Sequence, residues 1–232
     1  MNFADYIDLN EAKNTHMTHI EDKVIYGGVN GTREAIFALR DMRDMLSGVK
    51  EGSVSVKWDG APAIFCGIDP SDNKFFVAKK GIFNKNPKVY KSNSDIDADS
   101  EGALNKKLKL ALKYLPDLGI KGVIQGDFLF GPGDVSKQKI KGNRYLTFHP
   151  NTIVYAIPDG TPSSLEIKRA KIGIVWHTSY SGSSFESMSA SYGVDVKALK
   201  KSPNVWSQDA MLKSVMGATM TAKDTEFVNK NL

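Results

Sequence analysis

Ser53-Val54-Ser55-Val56-Lys57-Trp58 alternates polar and apolar residues, the period of a half-buried strand. That period sets Val54, Val56 and Trp58 on one face and Ser53, Ser55 and Lys57 on the other. Asp59-Gly60 ends it, a dipeptide that turns readily because glycine reaches positive φ without steric cost. Pro62 to Ile68 carries the run Ala-Ile-Phe-Cys and reads as a buried strand. Asp69-Pro70-Ser71-Asp72-Asn73 reads as a hairpin loop, and Lys74 to Lys80 as the returning strand. Val123 to Phe130 is a further strand, with Gln125 and Asp127 on one face and Ile124, Phe128 and Phe130 on the other. Tyr145–Phe148 and Thr152–Pro158 read as a hairpin, and Lys171 to Ser179 as a strand.

Two stretches carry helical spacing instead. Ile36, Leu39, Met42 and Leu46 form a stripe on a helix from Thr32 to Ser47, stopped by Gly48. Leu104, Leu108, Ala111, Leu112 and Leu115 form another, on a helix that Ser100 is placed to cap. Its other face holds Lys106, Lys107, Lys109 and Lys113, which read as a solvated face. Asn84 to Ser100 reads as a polar loop with Lys85, Lys88 and Lys91, and a second basic loop holds Lys137, Lys139, Lys141 and Arg144. Beyond Ser181 the chain is serine-rich and then reads as helical. The sum is an α+β chain built on antiparallel sheets, with 1–194 as the main domain and 195–232 as a helical extension.

At 232 residues, 41% apolar and 25% charged, the chain can bury a proper core and is neither disordered nor fibrous. Lys+Arg of 31 against Asp+Glu of 26 gives +5, which permits a polyanionic partner without demanding one. Cys66 is the single cysteine, so neither a disulfide framework nor a cysteine-rich zinc site is expected. His16 and His19 lie three apart, and two solvated histidines are favoured over a metal pair. An acidic N-terminus without an apolar segment, and no run near the roughly 18 apolar residues of a membrane span, point to a soluble cytoplasmic protein; a monomer is expected.

The chemistry centres on Lys57. A lysine at a strand end, with a carboxylate two residues on and a glycine beside it, is a setting for a nucleophilic amine. Lys57-Trp58-Asp59-Gly60 resembles the Lys-x-Asp-Gly motif I of the covalent nucleotidyltransferases: ATP-dependent DNA and RNA ligases and mRNA capping enzymes. Pro62 stands where many DNA ligases carry arginine, which leans towards the RNA-ligase type. Gly126-Asp127-Phe128-Leu129-Phe130-Gly131 resembles the superfamily's motif III, with aspartate in place of the usual glutamate. Phe148-His149-Pro150-Asn151-Thr152-Ile153-Val154-Tyr155 and Ile172-Gly173-Ile174-Val175-Trp176-His177-Thr178 are similar to a group of uncharacterised phage ligase-like proteins.

The resemblance implies a nucleotide cleft in which Lys57 attacks the α-phosphorus of ATP, with Mg²⁺ or Mn²⁺ and, as final substrates, strands bearing a 5′-phosphate and a 3′-hydroxyl. Asp59 would fix the loop or the attacking amine, with Trp58 and Gly60 beside it. Lys80, or Lys79, would contact the nucleotide or its phosphate, Asp127 the ribose or the metal, and Tyr155 or Trp176 the base. A neighbouring cation and the metal would lower the lysine pKa from its ordinary value of about 10.4. Motif IV, Glu-Gly before an apolar strand, is absent, and Lys197-Ala198-Leu199-Lys200-Lys201 is a poor motif V. No barrel domain is expected after it. Two rivals stand: a GTP-using capping-type guanylyltransferase, and a catalytically incomplete nucleic-acid-binding phage protein. A phage origin would place the protein in the cytoplasm of an infected bacterium.

Overall fold

A computed structural model describes residues 19–51, 53–216 and 219–231. In chain order its elements are α1 (Ile20–Tyr26), α2 (Gly28–Leu46), β1 (Ser53–Lys57), β2 (Ala63–Ile68), β3 (Phe75–Ala78), α3 (Asn93–Asp99), α4 (Gly102–Tyr114) and β4 (Val123–Phe130). There follow β5 (Ser136–Ile140), β6 (Asn143–Phe148), β7 (Tyr155–Pro158), α5 (Pro162–Arg169), β8 (Ile172–Ser181), β9 (Ser189–Tyr192), β10 (Val205–Asp209), β11 (Met211–Met216) and α6 (Ala222–Asn231). They divide into two compact units: Trp58–Ala210, and a smaller one holding the described residues up to Lys57 and from Met211 onward. The chain is α+β, and among the described residues every strand pair is antiparallel except β8 with β10. No described helix is long and apolar enough to cross a membrane.

The large unit is organised by β4, all eight of whose residues are buried. Its sheet runs β10-β8-β4-β2-β3, with β9 beside the far half of β8. One layer packs Ile64, Cys66, Ile124, Phe128, Ile174 and Trp176 against Ile96 of α3, Leu108 and Ala111 of α4, and Leu115 just beyond it. Each of the Ile, Leu and Phe side chains contributes about 2 kcal/mol by leaving water. The helical stripe read from the sequence at 104–115 is the one that faces this core. Two further clusters, around Phe65, Phe76 and Tyr180 and around Phe130, Phe148 and Trp206, complete the unit. Burial pushes the Cys66 thiol pKa up, so this cysteine behaves as a small apolar residue.

The small unit pairs β1 with β11 and stacks α1 on α2. The helices meet at glycine: a Cβ on Gly31 would stand 2.1 Å from the Lys23 carbonyl oxygen. That contact sets which face of α2 is buried, namely Gly31, Ala35 and Met45, while Met42 of the expected stripe is exposed. His16 lies outside the described residues; His19 precedes α1 and is exposed, beside Asp22.

Several local expectations shift. Ser100 does not open α4: its hydroxyl donates back to the Ile96 carbonyl at the end of α3, and Glu101 is the residue before α4. α3 itself rises from the expected polar loop, opened by a Ser92–Asp95 capping box. Residues 195–232 are not a helical extension, because they supply β10 and β11 before α6. The basic stretch after Gly133 is largely β5, an exposed strand at the edge of the three-stranded sheet with β6 and β7.

Candidate functional site

The turn that follows Lys57 is held against β4 from several sides. The Ala61 N–H donates to the Phe128 carbonyl at 3.0 Å, and the Phe128 N–H donates to the Pro62 carbonyl at 3.0 Å. Ala63 then pairs with Asp127 in the β2–β4 ladder. Gly60 lies on that strand so closely that a Cβ would stand 2.6 Å from the Phe128 oxygen and 3.0 Å from Asp127 Cβ. Its φ is not positive, so close approach, rather than the left-handed turn expected from Asp-Gly, explains this glycine. Of the stretches that carry the superfamily resemblance, Trp58-Asp59-Gly60 and 126–131 therefore stand together in the large unit, while Lys57 belongs to the small one.

Lys57 itself closes β1, one peptide bond before the large unit begins, and is exposed. It pairs with Met211 across a bulge, because Val56 pairs with Lys213 and the register slips by one. Val56 is 48% exposed, so the apolar face expected of this strand is not a buried one there.

Trp58 and Tyr155 turn out to be partners. Their ring centroids are 4.6 Å apart, and Trp206 meets Trp58 edge-on at 5.7 Å. The Tyr155 hydroxyl accepts from the Asp59 N–H at 2.7 Å and donates to the Asp59 carbonyl at 3.0 Å. Asn151 Nδ2 donates to Asp59 Oδ2 at 2.6 Å. Tyr155 is thus a pin for the turn. Tyr155→Phe is expected to lower unfolding free energy by about 1 kcal/mol while leaving the ring packing in place, which denaturant titration reads. An unchanged midpoint would show that the two hydrogen bonds hold nothing.

Trp176 lies wholly inside the core, its indole N–H donated to Ser207 at 2.7 Å, so it presents no face to a base. The next residue is the one the sequence hid. Gln125 pairs with Thr178 and Gly126 with Trp176, which leaves His177 as the extra residue of a bulge. That bulge aims His177 Nε2 to 3.6 Å from Asp127 Oδ1, and Nδ1 lies 2.7 Å from the Thr178 hydroxyl. Asp127 and Gln125 form a polar stretch in an otherwise apolar strand, and Gln125 Oε1 accepts from the Tyr180 hydroxyl at 2.7 Å. Lys107 was also missed: its Nζ donates to the Ala61 carbonyl at 2.7 Å and lies 5.5 Å from the Phe128 ring centroid. An apparently solvated helix lysine ties the turn to α4.

The lysine pair after β3 separates by task. β3 ends at Ala78, and Lys80 opens a 3-10 turn, exposed. Lys79 Nζ instead donates to Asp99 Oδ2 at 2.7 Å, where Lys88 and the Tyr90 hydroxyl also converge. Lys79, then Lys88 and Tyr90, hold the Asp99 carboxyl well below the usual carboxylate range, and Asp99 in turn raises the Lys79 pKa. Lys91 is similarly engaged by Asp69 at 2.6 Å and Asp72 at 2.9 Å. The loop lysines Lys88 and Lys91 are thus committed to ion pairs within the protein. A lowered folded pKa contributes stability that is full above the unfolded value of about 3.9 and is lost as pH falls through the folded value. Asp99→Asn should therefore cost on the order of 1 kcal/mol at neutral pH, limited by solvent screening. The gap to wild type should narrow below about pH 4 in thermal unfolding; a constant gap would refute the assignment.

Asp127 suits a divalent cation in one respect. Mg²⁺ is usually held through one or two protein carboxylates, with phosphates and water filling its other positions. A single buried acid on β4 matches that donor set, whereas no group of three His, Cys, Asp or Glu side chains forms a protein cage among the described residues. Two cavities of the large unit, of about 460 and 580 Å³, are lined by other residues: one by Arg169 of α5 and the segment around Lys197–Pro203, the other by Asn93, Pro132 and the basic face of α4.

A sequence profile for the Family of unknown function (DUF6267) matches residues 14–232, and the chain belongs to that family. No curated protein and no solved structure gives a significant match.

Proposed function

We propose that the chain is an ATP-dependent, RNA-ligase-type polynucleotide ligase that carries AMP on Lys57. One observation carries the reading most of the way: Gly60, two residues after Trp58, rests on β4 at Asp127 and Phe128. Within the large unit, Trp58-Asp59-Gly60 and Gly-Asp-Phe-Leu-Phe-Gly are remote in sequence and adjacent in space, which supports a nucleotide site that draws on both.

In this account neutral Lys57 Nζ attacks the α-phosphorus of ATP. A P–N bond forms, the P–O bond to pyrophosphate breaks, and the amine proton passes to solvent. A strand's 5′-phosphate then displaces Lys57 from the adenylate, and a 3′-hydroxyl displaces AMP to join the strands. When bound, Mg²⁺ would neutralise phosphate charge, with Asp127 as its protein ligand or as the ribose contact. Asp59 sets the course of the chain immediately after the nucleophile, held by Tyr155 and Asn151. Lys80, exposed and without an ion pair among the described residues, is the cation assigned to the phosphates. Lys79 is the poorer candidate because Asp99 already holds it.

The test is incubation with α-labelled ATP or GTP and Mg²⁺, read as label retained by denatured protein. Label from ATP alone is expected. Label from GTP alone would identify a capping-type guanylyltransferase, and label from neither would leave a strand-binding protein without the covalent step.

A further inference from the structure

We infer that the cavity of about 460 Å³ between α5 and the segment leading into β10 is a second site, one that holds the phosphodiester backbone of a nucleic-acid strand. Arg169, Lys197, Lys200 and Lys201 line it, with Glu166 the one acid among its lining residues. All four cations are exposed, and none makes an ion pair among the described residues. That sets them apart from Lys79, Lys88, Lys91, Lys109 and Lys168, each of which ends on an aspartate. Four like charges left together at one cavity repel one another, and a polyanion relieves that repulsion.

The remaining lining favours a backbone over a base. Leu118, Val196, Leu199 and Val205 form an apolar floor, and Ser207 and Gln208 supply neutral polar groups. No aromatic side chain is among the lining residues, so there is no stacking platform of the kind that grips bases. One of the cations is also positioned. The Lys200 N–H donates to the Leu118 carbonyl at 2.9 Å, and its side-chain stem lies over Gly119, where a Cβ would stand 3.1 Å from Cδ. Four cations exceed the charge of one phosphate, and with no aromatic face to hold a base the cavity suits successive phosphates of a strand better than a mononucleotide. Binding there is sequence-independent and salt-dependent.

The inference rests on the ligase reading for the strand, and its test separates the two. The probe is a ~20-nucleotide fluorescent, 5′-phosphorylated single-stranded RNA, followed by anisotropy from ~50 to ~200 mM salt. Lys197→Gln/Lys200→Gln/Lys201→Gln should bind it about 10- to 100-fold more weakly at the low end and lose roughly 2 from the salt slope, since each strand phosphate contributes about 0.7. Self-adenylylation from ATP should be unchanged. Lys137→Gln/Lys139→Gln, on the exposed edge strand β5, should bind as wild type. An unaltered triple variant, or a loss confined to the β5 variant, would overturn the site while leaving adenylylation untouched. A triple variant that loses ATP labelling instead of RNA affinity would also overturn it, by assigning the cavity to a mononucleotide. In the wild-type protein, bound RNA should slow amide hydrogen exchange across 196–203; no protection there would contradict the inference without reliance on any variant.

Discussion

Lys57→Arg should fold like the wild type and take up no adenylate. The side chain is exposed at the end of β1, so a cation of similar length replaces it without disturbing packing. Chemistry is another matter. A guanidinium keeps its proton at any pH a protein survives, with a pKa above about 12, and so offers no lone pair to phosphorus. Loss of label by a factor of 10³ or more is expected, the scale on which removal of a covalent nucleophile abolishes turnover. Charge-dependent binding of RNA should persist, because the charge at position 57 is retained. A variant that still labels at a tenth of the wild-type rate would mean that another lysine carries the nucleotide.

The second large effect is structural. Gly126→Ala should destabilise the large unit by about 3 kcal/mol, at the upper end of the cost of overpacking. Its Cβ would stand 2.3 Å from the Val175 carbonyl oxygen and 2.7 Å from Trp176 Cε3, both on the neighbouring strand β8. Neither atom is the far end of a flexible side chain, so β4 and β8 would have to part. They would part at the bulge that aims His177 at Asp127, and the site would lose its geometry along with its stability. The thermal midpoint should fall by roughly 10 °C. Gly122→Ala is the control: its nearest neighbour is the Tyr180 carbonyl oxygen at 4.0 Å, and its midpoint should hardly move. Equal effects at the two positions would show that general loss of glycine freedom, not contact with β8, sets the cost.

What was legible in the sequence follows from how local its cause is. β2 and β4 announce themselves as largely apolar runs, because both faces of each are buried, and the helix at 102–114 by its period, because one face packs on the core. The letters Gly60 and Gly126 were visible, but their reason was not, since it lies in the strand that each one touches. His177 is hidden for the same cause: a bulge exists only relative to the partner strand. Lys79 and Lys80 look equivalent until Asp99, twenty residues on, claims the first. Trp176 and Tyr155 look alike as aromatics in apolar strands, and burial separates a core side chain from one that pins a turn. The strands at 205–209 and 211–216 escaped because their partners, β8 and β1, are remote in sequence and their own patterning is short and mixed.

Where the nucleotide attaches decides the proposed activity. The most direct measurement is proteolytic peptide mapping by mass spectrometry after incubation of the wild-type protein with ATP and Mg²⁺. One adenylate is expected, on the peptide that contains Lys57 and on that side chain. An unmodified Lys57, with AMP on another residue or on none, would contradict it.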